Sequence, residues 1–237
     1  MVIRFIGALI SALVTLSVVA NAAQLVVVTS TVSTVELGTI FNEGEVMRVP
    51  AGNAIKLVSD SGEIIRLKGP FEGIPKVGTQ NKNRKFSENL IAYLKAMFND
   101  RELDASVIAA VRARRSPVAP NLWWLNISLS GKHCFLTEQP ILIWRSGVKK
   151  RTDLLIKKSG GTANKSLWSA GASTTDWPNN VPLDNGVWYS LLTSHPRKSN
   201  MVQIRLVPHD LPTDAHRAVW MAKNGCKRQA MRLLEVM

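Results

Sequence analysis

The first 22 residues constrain this chain more than any other segment. Arg4 supplies a positive charge, and Phe5 to Val19 is an unbroken run of apolar and small residues that ends at Ala20-Asn21-Ala22. A run of about fifteen residues suits the apolar region of a secretory signal and falls short of the roughly 20 residues that span a bilayer. The pattern predicts a cleaved signal peptide over residues 1–22. No cysteine follows to carry a lipid and no later stretch is comparably apolar, so we expect a soluble product without a transmembrane anchor.

Export determines how the two cysteines, Cys134 and Cys226, are interpreted. In an oxidising compartment such a pair is expected to form a disulfide. The alternative is a reactive thiolate at Cys134 that is assisted by its neighbour His133. Because adjacent residues on a strand point to opposite faces, His133 is badly placed to activate Cys134, and the disulfide is the favoured interpretation.

The formal net charge of +13 is unevenly distributed. Residues 24–75 hold 4 Lys/Arg against 6 Asp/Glu, residues 76–116 hold 9 against 4, and residues 117–237 hold 16 against 7. A basic exported protein meets lipopolysaccharide, anionic headgroups and cell-wall polyanions before it meets nucleic acid. We therefore expect an anionic envelope component or a periplasmic protein as partner, and no nucleic acid.

One basic cluster stands out in the second half of the chain. Its members are Lys149, Lys150, Arg151, Lys157 and Lys158. The first three are the candidate binding residues, because they are consecutive and adjoin a predicted turn. The alternative is that these charges only keep the protein soluble.

Residues 23–75 are predicted to form a compact antiparallel β unit. Short segments rich in β-branched residues alternate with glycine turns, which is the pattern of a strand meander. The predicted strands are residues 25–28, 45–49, 54–59 and 63–67. Gly69-Pro70 interrupts the pattern after the last of them.

The turns of this unit carry a recognisable set of residues. They are Leu37-Gly38, Gly44, Val49-Pro50-Ala51-Gly52, Leu57 and Ser61-Gly62 through Leu67. Together they resemble the periplasmic β domain of FecR-type proteins, in which Leu-x-x-Gly, Pro-x-Gly-x and Ser/Asp-Gly turns recur between hydrophobic strands. The resemblance implies a β-rich periplasmic module that contacts another envelope component. We expect neither the cytoplasmic segment nor the membrane helix of the family's regulators in this chain, so transmembrane iron signalling is not implied.

Residues 76–116 are predicted to form a basic helical connector. Ser87 is the predicted N-cap of an amphipathic helix. The residues at helical spacing are Leu90, Ile91, Leu94, Met97 and Phe98. This apolar face must be buried against another element. A second helix is predicted over residues 103–114, and Ser116-Pro117 marks the next boundary.

Residues 117–237 are predicted to form a second β unit with a helical tail. We expect residues 122–129 to form a strand, residues 141–145 to pair with 153–157, and residues 187–193 to pair with 202–207. In the tail, Thr213 should cap a first helix and Asn224-Gly225 should end it. A second helix follows from Cys226 to Val236, and the two should form a helical hairpin.

Six of the seven tryptophans lie in this second unit, ahead of the tail. Exposed indole rings can form a platform for sugars or peptides, although tryptophans more often belong to the core. Trp177, which precedes Pro178, is the expected exposed ring and a further candidate binding residue.

The whole pattern predicts an α+β protein with two mainly antiparallel β units, a helical connector and a C-terminal helical hairpin. No catalytic, metal or cofactor motif stands out. Ser146 and Lys149 have a Ser-x-x-Lys spacing, but it falls on a predicted turn instead of a helix start. We therefore expect a non-catalytic binding or scaffold protein of the periplasm, with a cell-wall or polysaccharide hydrolase as the alternative.

Overall fold

The computed structural model describes residues 23–78, 89–99, 117–147, 149–195 and 197–237. Within these ranges the chain forms fourteen strands and three helices, and the sheets are mostly antiparallel. The α+β class predicted from the sequence is therefore confirmed. The predicted signal peptide, the N-cap Ser87 and the predicted helix over residues 103–114 lie outside the described residues.

The N-terminal unit contains a four-stranded antiparallel sheet of order β2-β1-β4-β5 and a two-stranded sheet of β3 and β6. Its strands are β1 Gln24–Ser30, β2 Ile40–Asn42, β3 Met47–Val49, β4 Ala54–Ser59, β5 Ile64–Lys68 and β6 Phe71–Gly73. The four predicted segments all contain strands. Strands β2 Ile40–Asn42 and β6 Phe71–Gly73 were not predicted.

Strand β1 is buried on both of its faces. Leu25 and Val27 pack in the core of the N-terminal unit. Val26 and Val28 pack in a different core, which the helices also line. A strand that is covered on both sides contains consecutive apolar residues instead of alternating ones. The uninterrupted run from Leu25 to Val28 is therefore explained by two-sided packing.

The helices are α1 Leu90–Asn99, α2 Asp214–Lys223 and α3 Lys227–Val236. Helix α1 buries the predicted apolar face, including Leu90 and Leu94. Helix α2 begins at the predicted N-cap Thr213, whose hydroxyl accepts a hydrogen bond from the backbone N–H of His216. Gly225 has a φ of +86°, as a left-handed helix stop requires. The predicted C-terminal helical pair is confirmed, and none of the described helices has the length and apolar character that crossing a bilayer requires.

The second β unit packs two sheets around one core. Its strands are β7 Leu125–Asn126, β8 Gly131–Leu136, β9 Leu142–Trp144, β10 Thr152–Lys158, β11 Ala163–Trp168, β12 Thr174–Asp176, β13 Trp188–Ser194 and β14 Arg197–Val207. The larger sheet has the order β11-β10-β13-β14-β8, and the smaller one has the order β12-β9-β7. Side chains from both sheets, such as Ile143 and Ile156, share the core.

Three strand predictions in this unit need correction. Residues 141–145 do not pair with 153–157, because β9 pairs with β12 and β7, whereas β10 pairs with β11 and β13. Residues 187–193 do pair with β14, but through residues 197–203, and residues 202–207 pair in parallel with β8. Only Leu125–Asn126 of the predicted strand over 122–129 is a strand. Strands with alternating apolar and polar residues present the same backbone hydrogen-bonding groups at their edges. Which strands pair therefore depends on which of their faces are buried together.

The two β units share the helical layer. Lys56 of β4 donates hydrogen bonds to the carbonyl oxygens of Leu234 and Glu235, at 3.1 and 2.7 Å, near the end of α3. A cation at this position complements the negative end of the helix dipole. Val58 of β4 and Val207 of β14 belong to the same helical core. The N-terminal unit therefore packs directly on the C-terminal helices.

Candidate functional site

The basic segment Lys149, Lys150 and Arg151 lies just before strand β10. All three side chains are exposed. Within the described part of the chain, no carboxylate lies within ion-pair distance of any of them. Their charges are therefore available to a ligand.

Strand β10 brings a second basic segment to the same place. The Thr152 hydroxyl accepts hydrogen bonds from the backbone N–H groups of Ser194 and His195, at 3.1 and 2.9 Å. The Ser194 hydroxyl in turn accepts from the backbone N–H of Asp153 at 2.9 Å. These bonds hold the tip of the β13–β14 hairpin against the start of β10. Arg151 is consequently next to a hairpin tip that is more than forty residues away in sequence.

The hairpin tip is itself basic. It carries His195, Arg197 and Lys198, all of them exposed. We call the combined surface the basic end, and its members are Lys149, Lys150, Arg151, His195, Arg197 and Lys198. The sequence prediction found only the first three. The signal for the others was present, because His-Pro-Arg-Lys occupies the turn between two segments that were predicted to pair.

Lys157 and Lys158 do not belong to the basic end. They lie at the other end of β10, and six residue steps along a strand cover about 20 Å. Lys158 forms an ion pair with Asp184 at 2.5 Å, and this hydrogen bond raises the pKa of Lys158. The five-residue cluster seen in the sequence is therefore divided in the fold.

A buried arginine lies beneath the basic end. The Arg145 guanidinium stacks over the Trp168 ring at 4.6 Å and donates to the carbonyl oxygens of Ser169 and Ala172. Trp168 pairs with Thr152, which follows the basic segment directly. Burial lowers the pKa of Arg145, although a guanidinium remains charged at any ordinary pH. No ion pair accompanies this charge in the described residues, so it adds to the positive potential at this end of the sheet.

The expected exposure of Trp177 is wrong. Its ring is buried, its Nε1 donates to the carbonyl oxygen of Val181 at 2.9 Å, and it meets the Tyr189 ring edge to face at 5.1 Å. The turn from Pro178 to Val181 folds back over the indole and supplies its hydrogen-bond acceptor. Trp177 is therefore a core residue without a surface for a ligand.

Cys134 and Cys226 form the predicted disulfide, with an S–S distance of 2.03 Å. Cys134 faces the helical core, whereas His133 lies on the other face of β8 and stacks with Phe135. The predicted separation of the two neighbours is confirmed. A disulfide sulfur is neither a nucleophile nor a metal ligand, so Cys134 carries no thiolate chemistry.

The other reactive residues of the sequence are not assembled into a site in the described residues. Ser146 lies in an exposed bend after β9, away from any described helix start. No group of three or more His, Cys, Asp or Glu side chains in the described ranges could hold a metal ion. The basic end is thus the candidate site with the clearest chemistry, which is the binding of anions.

No family model matches the chain, and no curated protein matches it at a significant level. The functional proposal therefore depends on the physical features of this chain.

Proposed function

We propose that this chain is an exported, soluble, non-catalytic periplasmic protein that binds phosphate-bearing envelope material through the basic end. The observation that supports the proposal is the convergence of two exposed basic segments, Lys149–Arg151 and Arg197–Lys198, without ion pairs. Five permanently charged side chains concentrated on one small surface attract polyanions more strongly than dispersed charges do.

Phosphate is the anion that suits this surface best. Arginine binds phosphate through two parallel N–H donors, and lysine binds it as a mobile point charge. The lipid A part of lipopolysaccharide and the headgroups of anionic phospholipids both present phosphates at high density. On this proposal the FecR-like N-terminal unit acts as a scaffold that contacts a second envelope component.

The test compares variants of the mature protein for binding to lipopolysaccharide and to phosphatidylglycerol vesicles. The triple variant K149Q/K150Q/R151Q and the double variant R197Q/K198Q neutralise the two halves of the basic end. The matched control is R66Q/K68Q/K76Q, which removes three exposed charges from the N-terminal unit. Each basic group near an anionic surface contributes about fivefold to affinity, so the triple variant should lose about a hundredfold.

The control variant should retain most of the affinity of the unmodified protein. Binding should also weaken with rising salt, since exposed charges are screened beyond about 10 Å at 0.1 M. Equal losses in the triple variant and the control would show that binding follows net charge alone. Binding to lipopolysaccharide and binding to vesicles are measured separately. The comparison shows whether the protein prefers the phosphates of lipid A or those of phospholipid headgroups.

A further inference from the structure

The five-stranded sheet has one face that no other element covers in the described residues. Its inner face is buried against the smaller sheet through side chains such as Leu154, Leu191 and Val202. Alternate residues of the same strands point the other way. We call this side of β11, β10, β13 and β14 the outer face. Its principal members are Leu155, Lys157, Leu167, Trp188, Leu192 and Met201, all half-buried or exposed.

No described residue of β10, β11 or β13 belongs to the helical core. The helical layer covers the other edge of the sheet, where Cys134 of β8 and Val207 at the end of β14 join this core. Strands β11, β10 and β13 and the first part of β14 therefore present one side to solvent.

Apolar and basic side chains are neighbours on the outer face. The strand register places Leu155 between Leu192 and Lys165. On this face Leu167 is 60% exposed, Met201 45% and Trp188 37%. Large exposed apolar side chains grouped on one face of a sheet mark an interaction site more often than scattered ones do.

The charge of this surface is mainly positive. The outward-pointing positions of β10, β11, β13 and residues 197–203 of β14 carry three basic residues, Lys157, Lys165 and Arg197, and one acidic residue. The acidic residue, Asp153, is bound to Lys165 at 2.9 Å. The basic end lies at one end of the same strands. An anionic partner that also accepts apolar side chains therefore suits the outer face and the adjoining basic end best.

We infer that the outer face docks onto the surface of a bilayer that contains anionic phospholipids. Leu167, Met201 and Trp188 enter the boundary between headgroups and acyl chains, and the lysines reach the phosphates with their flexible stems. This inference rests on the proposed function and names its partner. A soluble polyanion would leave the apolar side chains in water. A second copy of the chain would bring two basic faces together, which like-charge repulsion opposes.

The test uses the mature full-length chain with the double variant L167S/M201S. Its control is V46S/I74S, which changes two similarly exposed apolar residues of the N-terminal unit, 62% and 51% exposed. Partition is measured on vesicles of phosphatidylglycerol with phosphatidylcholine and on pure phosphatidylcholine. Binding of soluble polyphosphate is measured in parallel. Unchanged melting temperatures establish that both variants fold, as expected for exposed positions.

L167S/M201S should partition about tenfold less onto anionic vesicles, because two inserted apolar side chains are lost. Its affinity for polyphosphate should equal that of the unmodified protein, and V46S/I74S should behave normally in both assays. Unchanged vesicle partition of L167S/M201S would overturn the inference, while retained polyphosphate binding would leave the proposed function intact. Failure of the unmodified protein to bind either probe would overturn the proposed function itself. A dimer that L167S/M201S dissociates would identify the outer face as a self-interface and overturn the inference.

Discussion

The side-chain amide of Gln229 pairs with the backbone of Cys134 as a neighbouring strand would. Its Oε1 accepts from the Cys134 N–H at 2.8 Å, and its Nε2 donates to the Cys134 carbonyl oxygen at 3.0 Å. Strand β8 is an edge strand, bonded to β14 on one side only. Gln229 of helix α3 thus satisfies the free edge at the residue that carries the disulfide.

Replacing Gln229 should destabilise the protein markedly. Q229A leaves the buried N–H and C=O of Cys134 without partners, and each unsatisfied buried group costs about 1–3 kcal/mol. We expect the free energy of unfolding in urea to fall by about 2–6 kcal/mol. The control is R228A, which alters the exposed neighbouring residue. Similar losses in both variants would show that the pairing with Cys134 contributes little.

Loss of the disulfide should lower stability without exposing any new activity. The bond closes a loop of 92 residues, for which the chain-entropy model gives roughly 4 to 5 kcal/mol as an upper estimate. C134S and C226S should lower the melting temperature by similar amounts, and the double variant should be no worse than either. Two free thiols in the oxidised, denatured protein would contradict the assignment.

His133 should make the protein sensitive to acid. Its ring is buried, Nδ1 has no hydrogen-bond partner in the described structure, and burial lowers the pKa of His133 to about 4. In the unfolded chain the pKa is about 6.5. Between pH 4 and 6.5 the unfolded chain binds a proton at His133 that the folded protein does not bind. The free energy of unfolding is therefore highest above pH 6.5 and falls by about 3 kcal/mol in total as the pH is lowered towards 4.

The histidine contribution can be isolated by comparing stability against pH in two variants. His133→Leu preserves an apolar contact with Phe135 and should remove this part of the pH dependence between about 6.5 and 4. His195→Gln, which alters an exposed histidine, is the matched control. A pH profile for His133→Leu that parallels the unmodified protein would contradict the prediction.

Gly62 should be required for the packing of the N-terminal unit on helix α2. A Cβ at this position would lie 2.4 Å from Oγ1 of Thr213, and the residue has a φ of +83°. Gly52 has a similar φ of +77° but open space around it. Gly52→Ala should therefore cost only the backbone strain of about 1–2 kcal/mol. Gly62→Ala should lower the free energy of unfolding by about 1–3 kcal/mol more than Gly52→Ala, because the added Cβ clashes with Thr213. Equal losses for the two variants in chemical denaturation would contradict close packing at Gly62.

Export should remove the first 22 residues. The apolar run is too short to span a bilayer and is followed by Ala20-Asn21-Ala22, which has the small residues expected of a cleavage site. Intact-mass measurement of the periplasmic protein should therefore give a chain that begins at Ala23. A mass that includes Met1 would contradict both the cleavage and the interpretation of the run.

Features encoded within a few consecutive residues could be predicted from the sequence. Thr213 caps α2, Gly225 ends it, and the spacing from Leu90 to Met97 gives the buried face of α1. The disulfide was predicted from the presence of two cysteines in a chain that is expected to be exported, and the structure contains it. The helix caps and the apolar face depend on residues within a few positions of one another. Two cysteines allow only one intramolecular disulfide.

The pairing of strands and the composition of the site required the tertiary structure. Residues 142–144 pair with 174–176 instead of the nearby β10, and Trp177 is buried beneath a turn that the sequence presents as a surface loop. The sequence by itself determined that the second unit is basic. Only the fold decided that Arg151 and His195 lie together, through the hydrogen bonds of Thr152. The physical reason is that exposure and proximity depend on which faces are buried against each other, and these contacts join residues far apart in the chain.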